Sequence, residues 1–125
     1  MLKQLKLVSQ VAVLGFALTG AVAHAQLLKP AELKELTANA KTAADHEKIA
    51  KHYDAKAAEY EATAKEHDEL AAEYTKHPTG HDQKHPNMGL TASHCKTLAE
   101  ASRKAATASR EIAAAHRAMA KQDSK

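Results

Sequence analysis

A short stretch of the sequence holds several side chains that bind transition metals. Histidines recur every four residues, and a methionine, a further histidine and a cysteine follow: His77, His81, His85, Met88, His94 and Cys95. Imidazole, thioether and thiolate together form a soft donor set that suits Cu(I), whereas the histidines alone suit Zn(II) or Ni(II). The sequence therefore predicts a transition-metal site, with copper favoured and zinc or nickel as the alternatives.

A second, weaker group of donors comes from the two long segments on either side of this stretch. If those segments are helices that fold back on each other, the group consists of His46, His52, His116 and Met119. These side chains could bind a metal, or their rings could hydrogen-bond between the helices as ordinary interface residues. In the second interpretation, buried imidazoles would loosen the assembly in acid.

The neighbours His94 and Cys95 suggest a thiol–imidazole catalytic pair. Adjacent residues of a helix point about 100° apart, however, so His94 is badly placed to take a proton from Cys95. The sequence contains no Gly-rich phosphate loop, C-x-x-C or G-x-S-x-G motif, and the carboxylates between Glu59 and Glu73 alternate with lysines as on a solvated surface. We therefore expect no enzymatic activity.

These side chains must be positioned by helices, because Gly and Pro are confined to few places. Neither occurs from residue 31 to 76 or from 91 to 122, whereas residues 77–90 hold two His-Pro pairs and two glycines. We expect a helix at about 30–76, a loop at 77–90 and a helix at about 91–122. The first helix is either continuous or restarts at 42–45, where Thr42-Ala-Ala-Asp45 would form a cap.

Both predicted helices carry a seven-residue repeat. The first has a row of rings, at His46, Tyr53, Tyr60, His67 and Tyr74, and a row of alanines, at Ala50, Ala57, Ala64 and Ala71. The second has an apolar row, at Leu98, Ala105, Ile112 and Met119, and a polar row, at Cys95, Ser102, Ser109, His116 and Asp123. Such repeats are typical of helices that pack side by side.

Folding the second helix back on the first pairs residues whose numbers add up to about 169. This register sets the alanines of the first helix against the apolar row of the second, so that small residues meet large ones. It also sets His46 against Asp123, Tyr60 against Ser109, and His67 against Ser102. The predicted fold is all-α: a long antiparallel, Ala-rich helical hairpin of coiled-coil type with a short N-terminal helical segment.

An interface of alanines buries little apolar area, so a further element should cover it. One candidate is the N-terminal segment with Leu27, Leu28, Leu33 and Leu36, which would give a three-helix bundle. The other is a second copy of the chain, which would give a dimeric four-helix bundle. We favour the homodimer, and Cys95, as the single cysteine, could form a disulfide between its two chains.

The first 25 residues have the features of an export signal: Lys3 and Lys6, an apolar stretch at 7–22, and Ala23-His24-Ala25 before the cleavage point. Cleavage leaves residues 26–125 as a single helical domain, periplasmic or secreted, with no membrane anchor. Its net charge is +1 with neutral histidines, and it has no Lys/Arg block for nucleic acid. In size, compartment and helix content the chain resembles small exported helical-hairpin proteins of the bacterial envelope that sense metals or protect unfolded clients. It lacks the L-T-x-x-Q signature of the best-known stress chaperones among them.

Two functions fit these features. The first is an exported protein that binds a transition metal through the histidine-rich loop and the start of the second helix. The alternative is a non-catalytic structural or interaction module, a self-associating helical hairpin that binds no ligand. A chaperone-like role would belong to this second class.

Overall fold

The computed structural model describes residues 27–76 and 88–125. These residues form three helices and no strand: α1 at Pro30–Asn39, α2 at Ala43–Lys76 and α3 at Met88–Asp123. The all-helical prediction is confirmed, and the two long helices pack against each other. The predicted signal segment at 1–25 and residues 77–87 of the predicted loop lie outside the described residues. None of the helices described here is both long and apolar enough to cross a membrane.

The helix is interrupted between α1 and α2. Of the two predicted alternatives, a continuous first helix or one that restarts at 42–45, the structure has the second. The backbone N–H groups of Lys41 and Thr42 donate to the Asp45 carboxylate, and the Asp45 N–H donates to the Thr42 hydroxyl, each at 3.1 Å. This reciprocal cap satisfies the Asp45 amide in the first turn of α2 and two backbone amides just before the helix. The same hydrogen bonds, first that from Lys41, lower the pKa of Asp45 because they favour its charged form.

Helix α1 begins at Pro30, where a missing N–H costs no hydrogen bond. Lys48 of α2 forms an ion pair with Glu32 of α1 at 2.9 Å, and the Leu28 N–H donates to His52 Nδ1 at 3.0 Å. In the part of the chain that the structure describes, α1 contacts α2 and does not contact α3. The N-terminal segment therefore covers one end of α2 and leaves α3 without a third helix beside it.

Alanines from both long helices form the interface between α2 and α3. They are at most 7 % exposed, and they recur every seven residues: Ala50, Ala57, Ala64 and Ala71 on α2, and Ala99, Ala106, Ala113 and Ala120 on α3. We call these two rows the alanine interface. The buried row of α3 thus lies one residue beyond the row that the sequence analysis predicted. Small residues on both helices let the two backbones approach closely.

The prediction that large side chains of α3 fill gaps between the α2 alanines is wrong. Leu98, Ile112 and Met119 remain 50 %, 38 % and 42 % exposed. An alanine row facing an alanine row leaves no room for a longer side chain between the backbones, so these residues lie at the edge of the interface. The register itself differs little, because facing alanines add up to 170 and not 169.

Candidate functional site

Two histidines from different helices meet at the end of the hairpin that lies away from the loop. The Nδ1 atoms of His46 and His116 are 2.9 Å apart, and the ring centroids are 5.2 Å apart. The Asp123 carboxylate lies 3.4 Å from His46 Nε2, as the predicted pairing of His46 with Asp123 requires. His46 is 9 % exposed, so the contact is largely shielded from solvent.

One shared proton fits this arrangement of His46 and His116. The Asp123 carboxylate favours a proton on His46 Nε2, so that His46 Nδ1 accepts the hydrogen bond that His116 Nδ1 donates. Burial, and after it the neighbouring His46 ring, lowers the pKa of His116. The His116 ring is therefore neutral at neutral pH.

The other members of the second predicted group have different surroundings. His52 is 8 % exposed and its Nδ1 accepts the hydrogen bond from the Leu28 N–H, while the Tyr53 ring lies edge-on at 5.2 Å. Burial, and then the charge of Lys56, lowers the pKa of His52. Met119 is 42 % exposed. The structure thus joins His46 to His116 and uses His52 to hold the N-terminal segment.

The donors predicted around the loop are only partly described. The structure does not describe the side chains of His77, His81, His85 and Met88. His94 is exposed on α3, whereas Cys95 is a free thiol that is 7 % exposed. Across residues 27–76 and 88–125, no group of three or more His, Cys, Asp or Glu side chains is placed to hold a metal ion. Metal binding at the loop stays a prediction.

Of the predicted polar contacts between the helices, the one between His46 and Asp123 forms. The contacts predicted for Ser109 and His67 do not form in the described hairpin. The Ser109 hydroxyl donates to the Ala105 carbonyl of its own helix at 2.9 Å, and no hydrogen bond between Ser109 and Tyr60 occurs among the described residues. The Nδ1 atom of His67 is buried and has no hydrogen-bond partner among the described residues. At these levels the polar side chains lie beside the alanine interface without linking the two helices.

Ion pairs between α2 and α3 line one side of the hairpin, which we call the ionic side. They are Asp54–Arg117, Glu61–Arg110 and Asp68–Arg103, and the second has a distance of 3.0 Å. The partners on each helix recur every seven residues and each pair adds up to 171, so the two helices run in opposite directions. From the sequence, Glu61 and Asp68 were predicted to be part of a solvated surface. The heptad spacing of the three arginines in α3 is the sequence feature that indicates these ion pairs.

Large apolar side chains occupy the opposite side of the hairpin. Around the axis of α3, Leu98 lies about 100° from Ala99 in one direction and Arg103 lies about 40° from it in the other, so the two lie on opposite sides of the interface. Leu70 on α2, which is 40 % exposed, lies on the same side as Leu98 by the same spacing rule. We call the surface formed by these exposed residues the apolar side: Leu70, Leu98, Ile112 and Met119.

Comparison of the chain with family models, with curated proteins and with solved structures finds no match. Function is therefore inferred from the residues and their geometry alone.

Proposed function

We propose that this chain is a non-catalytic helical-hairpin module that associates with itself through the apolar side. The observation that carries this proposal is the exposure of Leu98, Ile112 and Met119, each at least 38 % exposed although the alanine interface beside them is fully packed. Contiguous exposed apolar side chains on a small protein are typical of an interaction surface.

The energetics of the hairpin support self-association. The largest fully buried side chain among the described residues is Ile49, and the rest of the α2–α3 core is mainly alanine. Alanine burial contributes little, because the gain is about 25 cal/mol per Å² of apolar area removed from water. Burial of a whole Leu, Ile or Met side chain contributes about 1.5–3 kcal/mol, so covering the apolar side would stabilise the fold substantially.

Sedimentation equilibrium of the purified chain from about 1 μM to about 1 mM tests the proposal. We expect a dimer whose thermal stability rises with protein concentration, because association stabilises the folded state. A Leu98→Gln/Ile112→Gln variant should remain helical and become monomeric. The matched control is Glu100→Gln/Ala114→Gln, which changes exposed residues on another face of α3. A wild-type chain that stays monomeric throughout would exclude self-association.

We propose transition-metal binding as a second candidate function, favoured by the contact between His46 and His116. Two nitrogens 2.9 Å apart match two ligands at about 2.0–2.1 Å from one metal at a right angle. The carboxylate of Asp123 near His46 Nε2 is the arrangement that orients a metal-binding imidazole. The metal would replace the proton between the rings, so the affinity for the metal would decrease as the pH decreases.

Titration with Cu(II), Ni(II) and Zn(II), and with Cu(I) under reducing conditions, separates this site from the predicted loop site. One variant carries His46→Ala and His116→Ala, and another carries His77→Ala, His81→Ala and His85→Ala. Loss of binding in the first variant alone assigns the metal to the interhelical pair. Loss in the second alone assigns it to the loop, and binding weaker than about 1 mM in wild type removes the metal function.

A further inference from the structure

Helix α3 carries a second apolar surface besides the one that packs on α2. One row of this surface contains Leu98, Ala105, Ile112 and Met119, and a second row, three residues after the first, contains Ala101, Ala108 and Ala115. We call the two rows together the outer stripe. Its residues follow one another at alternating spacings of three and four, which is the spacing of a helix–helix interface. All of them are exposed except Ala105, which is half-buried.

Around the axis of α3, the first row of the outer stripe lies about 100° from the alanine row and the second row lies about 160° from it, as 3.6 residues per turn require. A helix that packs on the outer stripe would therefore contact α3 on a different face from the one that contacts α2. Neighbouring helices of a four-helix bundle have a similar arrangement. Helix α2 has no comparable second surface, because the positions beside its alanines hold charged residues such as Asp54, Lys56 and Glu66.

We propose that the outer stripe binds the outer stripe of a second copy, with the two α3 helices antiparallel about a two-fold axis at Ala108. This inference rests on the proposed self-association and names the surface and the register through which it occurs. A two-fold axis pairs identical surfaces, so each contact occurs twice. Residues of the first row then face each other when their numbers add up to a multiple of seven.

Charges beside the stripe select one register. Lys104 and Glu111 lie along the same edge of the stripe, one heptad apart, and both are exposed. Neither forms an ion pair within the described hairpin, whose interhelical ion pairs lie on the ionic side. When first-row pairs add up to 217, second-row pairs add up to 216, so that Ala108 faces itself. The charged residues at the edge then pair at a sum of 215, so that Lys104 of each copy lies opposite Glu111 of the other.

The two neighbouring registers lose this complementarity. When the numbers of paired first-row residues add up to 210, Lys104 lies opposite Lys104 of the second copy. When they add up to 224, Glu111 lies opposite Glu111 of the second copy. Like charges directly opposed across an interface disfavour a register and help to specify the correct one. Only the sum of 217 also keeps all four residues of the first row paired, Leu98 with Met119 and Ala105 with Ile112.

Cysteine crosslinking in a Cys95→Ser background tests the two-fold axis. Ala108→Cys should form a disulfide between two copies under mild oxidation, because only residue 108 faces itself. Ala101→Cys and Ala115→Cys should each fail alone and crosslink when the two proteins are mixed. Ala114→Cys, on another face of α3, is the matched control and should not crosslink.

Charge reversal tests the register by a second route. Lys104→Glu and Glu111→Lys should each weaken self-association about tenfold, because every pair becomes repulsive. Mixed together, these two variants should form a heterodimer as tight as wild type, since both of its pairs are attractive. The double variant Lys104→Glu/Glu111→Lys should also self-associate like wild type.

The outcomes separate this inference from the proposed function. If wild type is a dimer but the Ala108→Cys variant does not crosslink, or the charge variants associate as tightly as wild type, the α3 register is overturned and self-association stands. A wild-type chain that is monomeric by sedimentation overturns both. Crosslinking of the Ala108→Cys variant together with the charge-dependent heterodimer supports both.

Discussion

The two sides of the hairpin follow the same seven-residue repeat with opposite chemistry. On the ionic side, three arginines of α3 reach three carboxylates of α2, so each of these charges finds its partner within the chain. On the apolar side, Leu98 and Ile112 face no further helix in the described hairpin and remain 50 % and 38 % exposed. One side therefore helps to close the hairpin, and the other is the side through which we propose self-association.

Substitutions in the alanine interface, which lies between the ionic side and the apolar side, should have the largest effect on the free energy of unfolding. Ala64 is 1 % exposed, and an Ala64→Leu variant would force a long side chain between two close backbones. We expect a loss of about 1–3 kcal/mol in the free energy of unfolding, measured by urea denaturation followed by circular dichroism. Ala62→Leu, at an exposed position of the same helix, should change it by less than about 0.5 kcal/mol. Equal effects of the two variants would contradict the tight alanine packing.

Acid should weaken the contact between the N-terminal segment and α2, in which the Leu28 N–H donates to His52 Nδ1. The folded chain lowers the pKa of His52 below its ordinary value of 6.5, so the unfolded chain binds the proton more tightly. The contribution of His52 to stability is therefore complete above that value and is lost as the pH falls through the lower folded value. Protonation also removes the acceptor for the Leu28 N–H, a hydrogen bond worth about 0.5–1.5 kcal/mol.

The variant His52→Gln checks this pH dependence, because its amide oxygen can accept the hydrogen bond and does not titrate. The free energy of unfolding, measured from about pH 7.5 to about pH 5, should fall less steeply in this variant than in wild type. His94→Gln changes an exposed histidine and serves as the control. An unchanged slope in His52→Gln would show that His52 does not titrate with folding. Part of the slope should persist through His116, whose pKa is lowered in the same way.

Smaller effects are expected on the ionic side. The side chains of Arg110 and Glu61 are 54 % and 45 % exposed, so solvent screens their attraction. Arg110→Glu should cost about 0.2–1 kcal/mol, and Arg110→Glu/Glu61→Arg should recover most of that loss. Chemical denaturation by urea at low and at high salt measures the effect, which should shrink as the salt concentration rises. If the double variant is no more stable than Arg110→Glu, the two residues are not paired.

The smallest effect on folding is expected on the apolar side. In protein dilute enough to be monomeric, Ile112→Gln should change the free energy of unfolding by less than about 0.5 kcal/mol, since Ile112 is 38 % exposed in the hairpin. At high concentration the same variant should lose the stabilisation that association gives to wild type. A large loss of stability in the dilute monomer would show that Ile112 belongs to the core of the hairpin.

Much of the fold could be predicted from the sequence because its signals are local. The stretches without Gly or Pro and the Thr42–Asp45 cap mark the ends of helices through the chemistry of a few neighbouring residues. The pairing of His46 with Asp123 also followed, since a fold-back about the loop fixes the register to within a residue or two. The loop site was predicted from composition, and the structure describes too little of it to test that prediction.

The sequence by itself determined that two long helices with a seven-residue repeat form and that they fold back on each other. Only the tertiary structure decided which row of α3 faces α2, because adjacent rows such as those of Leu98 and Ala99 have identical spacing and differ by about 100° around the helix. Close approach of the backbones buries the row with the smaller side chains. That choice also brings Arg103, Arg110 and Arg117 to their carboxylates and turns Leu98, Ile112 and Met119 outward.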